Sequence, residues 1–547
     1  MPQHPILHVR ASVIAAALMS VTVCAFGQTG QALAPGVVPA AQGGDTVRRL
    51  SVDEAVRISL EQNLGIQFQR LDPQIQDESI AEARAAWLPV LKPDFTKSSD
   101  TRVSTNSTNL AANSSSVTSA ALVGGLGMTQ LLRWGGSYEA GWGNSRSTTT
   151  AVQQTLNPQL GSRLNFNYTQ PLLRNLKIDR ARQAVLSAKK TRDVSDVNLR
   201  ATIVQTSRNV KNAYWDLVYQ IDNLKAAQQS LQLSQQSLKD NTRRVEIGTM
   251  APIDIVDAKA EVARNEEAVI LSQEAIEAAQ DNLKMLIFDP STSGFWSMKI
   301  EPADTAPFQV QQIDTEAAVR NALDKRSDLH SAKLTLERND ISIRYSRNLT
   351  LPDVNALIRY QASGVGGTAY APVANPLDPT ATVRQQVGQR SFSSALGDVF
   401  QNTSPVWSVE FQVNYPLGRS AEKAALAGAK LQYQQSQTQL KSLQMQIAAQ
   451  VRNVARQVEA NQKRVESARA SRELAEQKLA AEEKKFAAGI RETFFVFQAQ
   501  RDLSTARTAE VRAISDYNKS LVDFEAVQEI AVGGGTTQIT PVRSGGN

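Results

Sequence analysis

The chain has 547 residues, only 6% of them aromatic, and a formal charge of +6 in which basic and acidic residues interleave. A nucleic-acid binder concentrates its Lys and Arg, so this balance argues against that class. Ala, Gln, Ser and Leu crowd 179–285 and 420–530, which suits long helices burying a narrow stripe rather than the several compact cores such a length ordinarily builds.

At the N-terminus Arg10 precedes the apolar run ASVIAAALMSVTVCAF, which leads to Ala25-Phe26-Gly27 before Gln28. A basic start, a short apolar run and small residues at −3 and −1 predict a secretory signal peptide, 1–27, cut after Gly27. The run is too short for a comfortable transmembrane helix. Val23 is a poor fit before a lipidated Cys24, so a lipid-free start at Gln28 is expected. The chain after that cut has no cysteine, and no disulfide can hold it. Residues 28–49 read as a linker.

From residue 50 onwards the sequence repeats itself. LSVDEAVRISLEQN (50–63) matches IDTEAAVRNALDKR (313–326) at an offset of 263, which also carries ARAAWLPVL onto SRNLTLPDV and Pro89 onto Pro352. NYTQPLLRN then resembles VNYPLGRS, pairing Pro171 with Pro416 at 245, and Gly248 meets Gly489 at 241. The order is preserved and the offset only shrinks, which predicts one ancestral unit used twice. The units are 50–288 and 313–530, joined by 289–312 and followed by a flexible tail, 531–547.

Each unit has the same grammar: a helix to a Pro, an irregular segment with strand signals to a second Pro, then a long helix to a Gly tip and back. Strands are expected within about 90–170 and 353–416. Leu164, Phe166 and Tyr168 alternate with polar residues, as do Val354, Ala356, Ile358 and Tyr360, and Val409, Phe411, Val413 and Tyr415. Period-two alternation puts apolar side chains on one face. The long helices have period seven instead: Ile203, Val210, Leu217, Leu224, Leu231, Leu238 and Val245, then Val451, Val458, Val465, Leu479 and Phe486 with a break at Arg472. This seam predicts left-handed supercoiling against neighbouring helices. A continuous helix from Asp179 to Ile247 would be ~100 Å long.

About four amphipathic strands per chain cannot close a barrel alone, and single-chain outer-membrane barrels start at about eight. A barrel shared between copies follows, with the helices extending the tube away from the membrane. The duplicated DEAVRISLEQN, ARAAWLPVL, QPLL and Gly-tip pattern resembles the TolC-like outer membrane efflux proteins over nearly all of the mature chain. That resemblance implies an α+β membrane protein: a homotrimer with a transmembrane β-barrel, a periplasmic α-helical barrel and an equatorial mixed region. It implies a passive exit duct in the outer membrane lipid, docked on a periplasmic adaptor (membrane fusion) protein and served by an inner-membrane transporter. Gly248, Thr249, Gly489 and Arg491 would then be adaptor-docking tips. The best-known drug-efflux member has acidic residues after its second tip. Here Phe495 and Gln498 stand in those places, while Asp254 and Asp257 follow the first tip, so these four are the candidate gate.

The first unit departs from the family's simplest form, which has two strands per unit. Pro89 to Pro171 spans 82 positions against 64 for Pro352 to Pro416. The excess includes RWGGSYEAGW, an extra hairpin or a strand feeding an external loop, and the low-complexity STNSTNLAANSSS (104–116), which reads as an exposed loop.

Enzyme classes find little here. His4 and His8 lie in the leader and His330 stands alone, so no common metal, cofactor or thiol-nucleophile arrangement is expected. GVGG (364–367) reads as a Ser/Gly-rich loop without the strand-helix context of a phosphate cradle. Glu266-Glu267 and Glu482-Glu483 read as solvated helix faces. The competing non-enzyme reading is a periplasmic coiled-coil adaptor or stalk without a pore.

Overall fold

A computed structural model describes residues 47–105, 115–151, 154–291, 294–306, 308–375, 378–415, 418 and 420–529. The expected leader, most of the linker, the middle of 104–116, Pro416 and the tail 531–547 lie outside the described residues.

The described chain begins with β1 (Val47–Leu50), α1 (Val52–Gln62) and α2 (Leu64–Ala85). Residues 47–49 are therefore a strand, not the end of a linker. β1 pairs in parallel with β6 (Lys299–Pro302), Val47 opposite Lys299 and Leu50 opposite Pro302. Four residues carry no readable alternation, and the partner lies far along the chain, which hid the strand from sequence. Ser51 caps α1 by accepting from the Glu54 N–H, and in the second unit Asp314 caps α5 (Thr315–Lys325) in the same way. α6 (Ser327–Leu349) follows, as α2 follows α1.

Seven strands form one antiparallel sheet: β2 (Val90–Val103), β3 (Ser116–Leu131), β4 (Ser137–Thr149), β5 (Leu156–Pro171), β7 (Asp353–Asn375), β8 (Asp378–Arg390) and β9 (Pro405–Asn414). They fill six positions, because β9 pairs the first half of β7 up to Ala362 and β8 pairs its second half from Gly367. The expectation of about four strands is too low. The first unit carries two hairpins, and Gly135, at φ +96°, turns the chain between β3 and β4. Sequence alternation fails in the extra strands for physical reasons. β2 holds Pro93 and three basic residues, β3 is glycine-rich, and Arg384–Arg390 of β8 is polar but for Val387 and Gly388. GVGG is likewise not a loop but the middle of β7.

Register across the sheet sorts its two faces. One row reads Leu91, Met128, Ala140, Phe166, Tyr360, Trp407, and the next reads Pro93, Leu126, Trp142, Leu164, Ala362, Pro405. An opposite-face row reads Val90, Thr129, Glu139, Asn167, Arg359, Ser408. On that polar face Arg359 pairs with Glu410 at 3.2 Å. The apolar face stays bare: Phe95, Trp407 and Phe411 are each about 70% exposed or more (75%, 72% and 68%). Both outer strands, β2 and β9, are exposed along their whole length.

Below the sheet, α3 (Arg180–Glu246) and α8 (Ala421–Ala487) each run 67 residues, and the return helices α4 (Ile253–Ile287) and α9 (Thr493–Val527) each run 35. Asp179 and Ser420 cap the long helices. Their period-seven residues do face inward, with Val210, Leu217, Val451, Val458 and Val465 all buried. Small partners such as Ala213 and Ser234 are buried beside them.

At the waist two tyrosines hold the connector between the units. Tyr214 of α3 is fully buried, its hydroxyl 3.0 Å from both the Leu50 carbonyl and the Asp304 carboxylate, and it accepts from the Asp304 N–H. Tyr517 of α9 donates to the Gln309 carbonyl at 2.7 Å and meets Phe308 edge-on. Burial pushes the Tyr214 phenol up to about 12. Its contribution to stability is therefore complete below the ordinary tyrosine range and declines as pH rises above it. Tyr214→Phe strands the Asp304 N–H and should destabilise the waist by about 1–3 kcal/mol, read as a lower midpoint in helical thermal unfolding. The variant should also lose the late, high-pH component of a phenolate titration.

Candidate functional site: the hairpin tips

Both long helices end in the same hydrogen-bonded turn. At the first tip the Gly248 N–H donates to the Val245 carbonyl at 2.9 Å and the Thr249 N–H to that of Arg244 at 2.9 Å. At the second, the Gly489 N–H donates to Phe486 and the Ile490 N–H to Lys485, both at 3.0 Å. Gly248 and Gly489 have φ of +75° and +71°, the left-handed region that favours glycine, and open space surrounds each. The glycines are thus required by backbone conformation and not by crowding. Thr249 also donates its hydroxyl to the Arg244 carbonyl at 3.0 Å.

The two tips touch. Arg244 of the first hairpin lies over the Phe486 ring of the second, 4.4 Å from its centroid. Leu233 joins the second hairpin's cluster of Leu479, Val496, Ala499 and Leu503. Arg491 stacks on Phe495 at 4.3 Å and lies 3.8 Å from Glu482. A hydrogen bond from Lys485, stronger than the opposing effect of burial, lowers the Glu482 carboxyl below its usual range. Burial alone raises its neighbour Glu483. The Glu482 side chain, 13% exposed and ion-paired to Lys485 and Arg491, is thus not the solvated face expected of it.

Among the described residues no hydrogen bond or ion pair joins the candidate gate residues of the two tips. Asp254 is half-buried and Asp257 exposed on the first turns of α4, and neither carboxylate has a hydrogen bond or ion pair among the described residues. Gln498 is exposed, Phe495 is half-covered by Arg491, Phe494 points out and Phe497 is buried. Sequence reading missed Glu261, a buried carboxylate on α4 held by Arg264 at 2.7 Å and facing Arg501 of α9 at 3.8 Å. Nothing in its helical spacing marks it.

The profile of the family described as outer membrane efflux protein matches residues 144–287 and 318–527, one stretch in each unit. The chain belongs to that family. Its fold is that of several solved channels. It is similar to the Vibrio cholerae outer membrane protein VceC (15% identity, TM-score 0.59, covering 87% of this chain and 96% of that one). It is similar to the Campylobacter jejuni CmeC outer membrane channel (12%, 0.59, 87% and 85%). It also resembles the open state of the Neisseria gonorrhoeae MtrE outer membrane channel (17%, 0.58, 87% and 88%). No curated protein sequence matches it at the same stringency. This outer membrane efflux protein is an exit duct in the outer membrane with a periplasmic helical extension. The family is one of channels, not enzymes. Among the described residues no helix is long and apolar enough to cross a membrane.

In this efflux protein the break in the second seam is filled by charge. Arg472 bonds Glu510 of α9 and also Glu476 at 2.9 Å, Arg507 reaches Glu476 at 3.2 Å, and Arg469 adds a contact to Glu510. Burial opposes the charged form of Glu476, yet hydrogen bonds from Arg507 and Arg472 outweigh it and lower its carboxyl. This link between α8 and α9 is at full strength above the ordinary glutamate range and is lost as pH falls beneath it. Arg472→Leu restores the apolar register but leaves Glu510 without its main partner. It should destabilise the hairpin by about 1–3 kcal/mol, while Arg472→Leu with Glu510→Leu recovers most of the loss. Thermal unfolding of the four-member cycle measures this.

Proposed function

We propose that three copies of this chain close one barrel and that the duct is passive, its hairpin tips docking a periplasmic adaptor that an inner-membrane transporter feeds. The observation that carries the reading is the open sheet, apolar on one face and polar on the other, with bare edges at β2 and at β8–β9. Bare edges in a bilayer must be paired, and head-to-tail pairing of β2 with the next copy's β9 closes a ring. Six strand positions in each of three copies give an eighteen-stranded barrel. Barrel diameter grows roughly linearly with strand number, so this barrel is about half as wide again as a twelve-stranded one and leaves an aqueous channel. A pore-free adaptor or stalk has no use for such a sheet. Native mass spectrometry in detergent should give three chains as the smallest folded species, and a closed-barrel monomer would overturn the shared barrel.

Thr249 and Arg491, at the exposed turns, are the adaptor contacts in this reading, and the cargo is small molecules or proteins that fit a water-filled duct. Opening is a sliding of the second hairpin against the first, a bistable repacking. Asp254, Asp257, Phe495 and Gln498 face the constriction between copies rather than one another. Gly248→Leu and Gly489→Leu each force a side chain into the left-handed region at about 1–2 kcal/mol, too little to unfold the barrel. Assembly in the membrane should persist while adaptor cross-linking and export fail. Normal export by both variants would remove the tips as the docking site.

A further inference from the structure

The chain leaves the sheet once between β8 and β9, for a nine-residue helix, α7 (Phe392–Phe400). Its departure leaves Ser363 to Gly366 of β7 without a ladder partner on that side. Instead of projecting past the edge, α7 folds back over β7 and β5. A side chain at Gly364 would overlap the Ala395 carbonyl oxygen, and one at Gly366 would come within 2.8 Å of the Ser391 carbonyl oxygen. Ala362 and Ser162 are almost completely covered (1% and 2% exposed). These four small residues form the floor on which the helix lies.

Register identifies the face. Gly364 and Gly366 are even-numbered on β7, as are Ile358 and Tyr360, which oppose Val409 and Trp407. Tyr360 donates its hydroxyl to the Asn402 side chain at 2.6 Å, just beyond α7. The helix therefore rests on the apolar face, outside the barrel, and not in the lumen. It turns Ala395 and Val399 down to the floor, with Phe392 (39% exposed) at the floor's edge and Phe400 turned out beside it. Phe392, half-buried Leu396 and Phe400 recur every four residues, a stripe along one flank of the helix. Phe400 is 74% exposed.

Height follows from strand geometry. An apolar band about 25 Å tall on strands tilted by about 40° takes roughly ten residues of each strand. Val354 to Gly364 is that interval. The next row on the same face, Lys97, Leu122, Arg146, Leu160 and Gly366, brings in two cations. The Arg390–Asp398 ion pair, 2.8 Å, ties the start of α7 to its last turn at this level.

From these observations we infer that α7 lies along β7 on the barrel's outer face, running from the outer-leaflet margin at Gly366 down into the apolar band towards Tyr360, with Phe392 and Phe400 seated among acyl chains. The lipid is the occupant because the helix continues the apolar face where the strand side chains shrink to glycine and serine. A neighbouring copy joins at β9 and β8, beyond the edge that α7 turns away from. The inference rests on the outer-membrane barrel reading, and one experiment separates them. Nitroxide labels are placed singly at Phe400→Cys, Phe392→Cys, Phe411→Cys and Val103→Cys, each with Cys24→Ser, in the full assembly reconstituted into phospholipid vesicles. Collision with oxygen and with a polar nickel chelate is then measured. At 400 and 392 the oxygen-to-nickel ratio should match 411 and lie about tenfold above 103, because hydrocarbon excludes the chelate. A ratio at 400 equal to that at 103 puts α7 in water and overturns the inference. An immobilised label shielded from both reagents puts it against a second copy and overturns it too. A water-like ratio at 411 removes the barrel reading itself, and α7's role with it.

Discussion

Backbone N–H and C=O groups inside a bilayer have no water to bond, and the two bare edges of the six-position sheet make this the governing constraint on the molecule. One chain cannot satisfy it, so further copies are called for. Closure in turn assigns the faces: the rows through Phe166, Tyr360 and Trp407 meet lipid, and the rows through Asn167, Arg359 and Glu139 line water. The helices inherit the same division. α3 and α8 start a few residues past Pro171 and Asn414, so each wall element is a strand above and a helix below.

The helical part has a different problem, which is to remain a thin wall over a great length. Period-seven packing solves it locally, and charge completes it where the seam fails, at Arg472. The waist supplies the fixed point. Tyr214 and Tyr517, one from each unit, grip the connecting segment with buried hydroxyls. Below the waist the hairpins are held to each other by contacts of lower commitment, such as Arg244 on Phe486 and Ser230 on Ser504 at 3.0 Å. Nearer the tips the contacts between hairpins are mixed, apolar where Leu233 meets the Leu479 cluster and polar at Ser230 and Ser504.

Features with a local physical cause were legible in the sequence. Gly248 and Gly489 announce themselves because a left-handed turn needs glycine, and Val210 to Leu238 because a seam needs a fixed period. The alternation at Leu164–Tyr168 and Val409–Tyr415 marked strands that do stand on one face. Features that depend on a distant partner were not legible. β1 exists only against β6, and Glu261 is buried on a helix packed along α3, with Arg501 of α9 3.8 Å away. The strands β2, β3 and β8 escaped because glycine, proline and extramembrane polarity erase the period. Gly364 and Gly366 read as part of a loop for the same reason, where their lack of side chains leaves room for α7.

The two long helices are equal at 67 residues and the two return helices equal at 35, despite little sequence left in common. Equality of this kind restricts how such a protein can change. One inserted residue advances a helix by about 1.5 Å and rotates everything beyond it by about 100°, which turns the seam out to water. Seven restore the seam but push one tip about 10 Å beyond the other. The periplasmic reach can therefore be lengthened or shortened only in seven-residue steps, made in all four helices together.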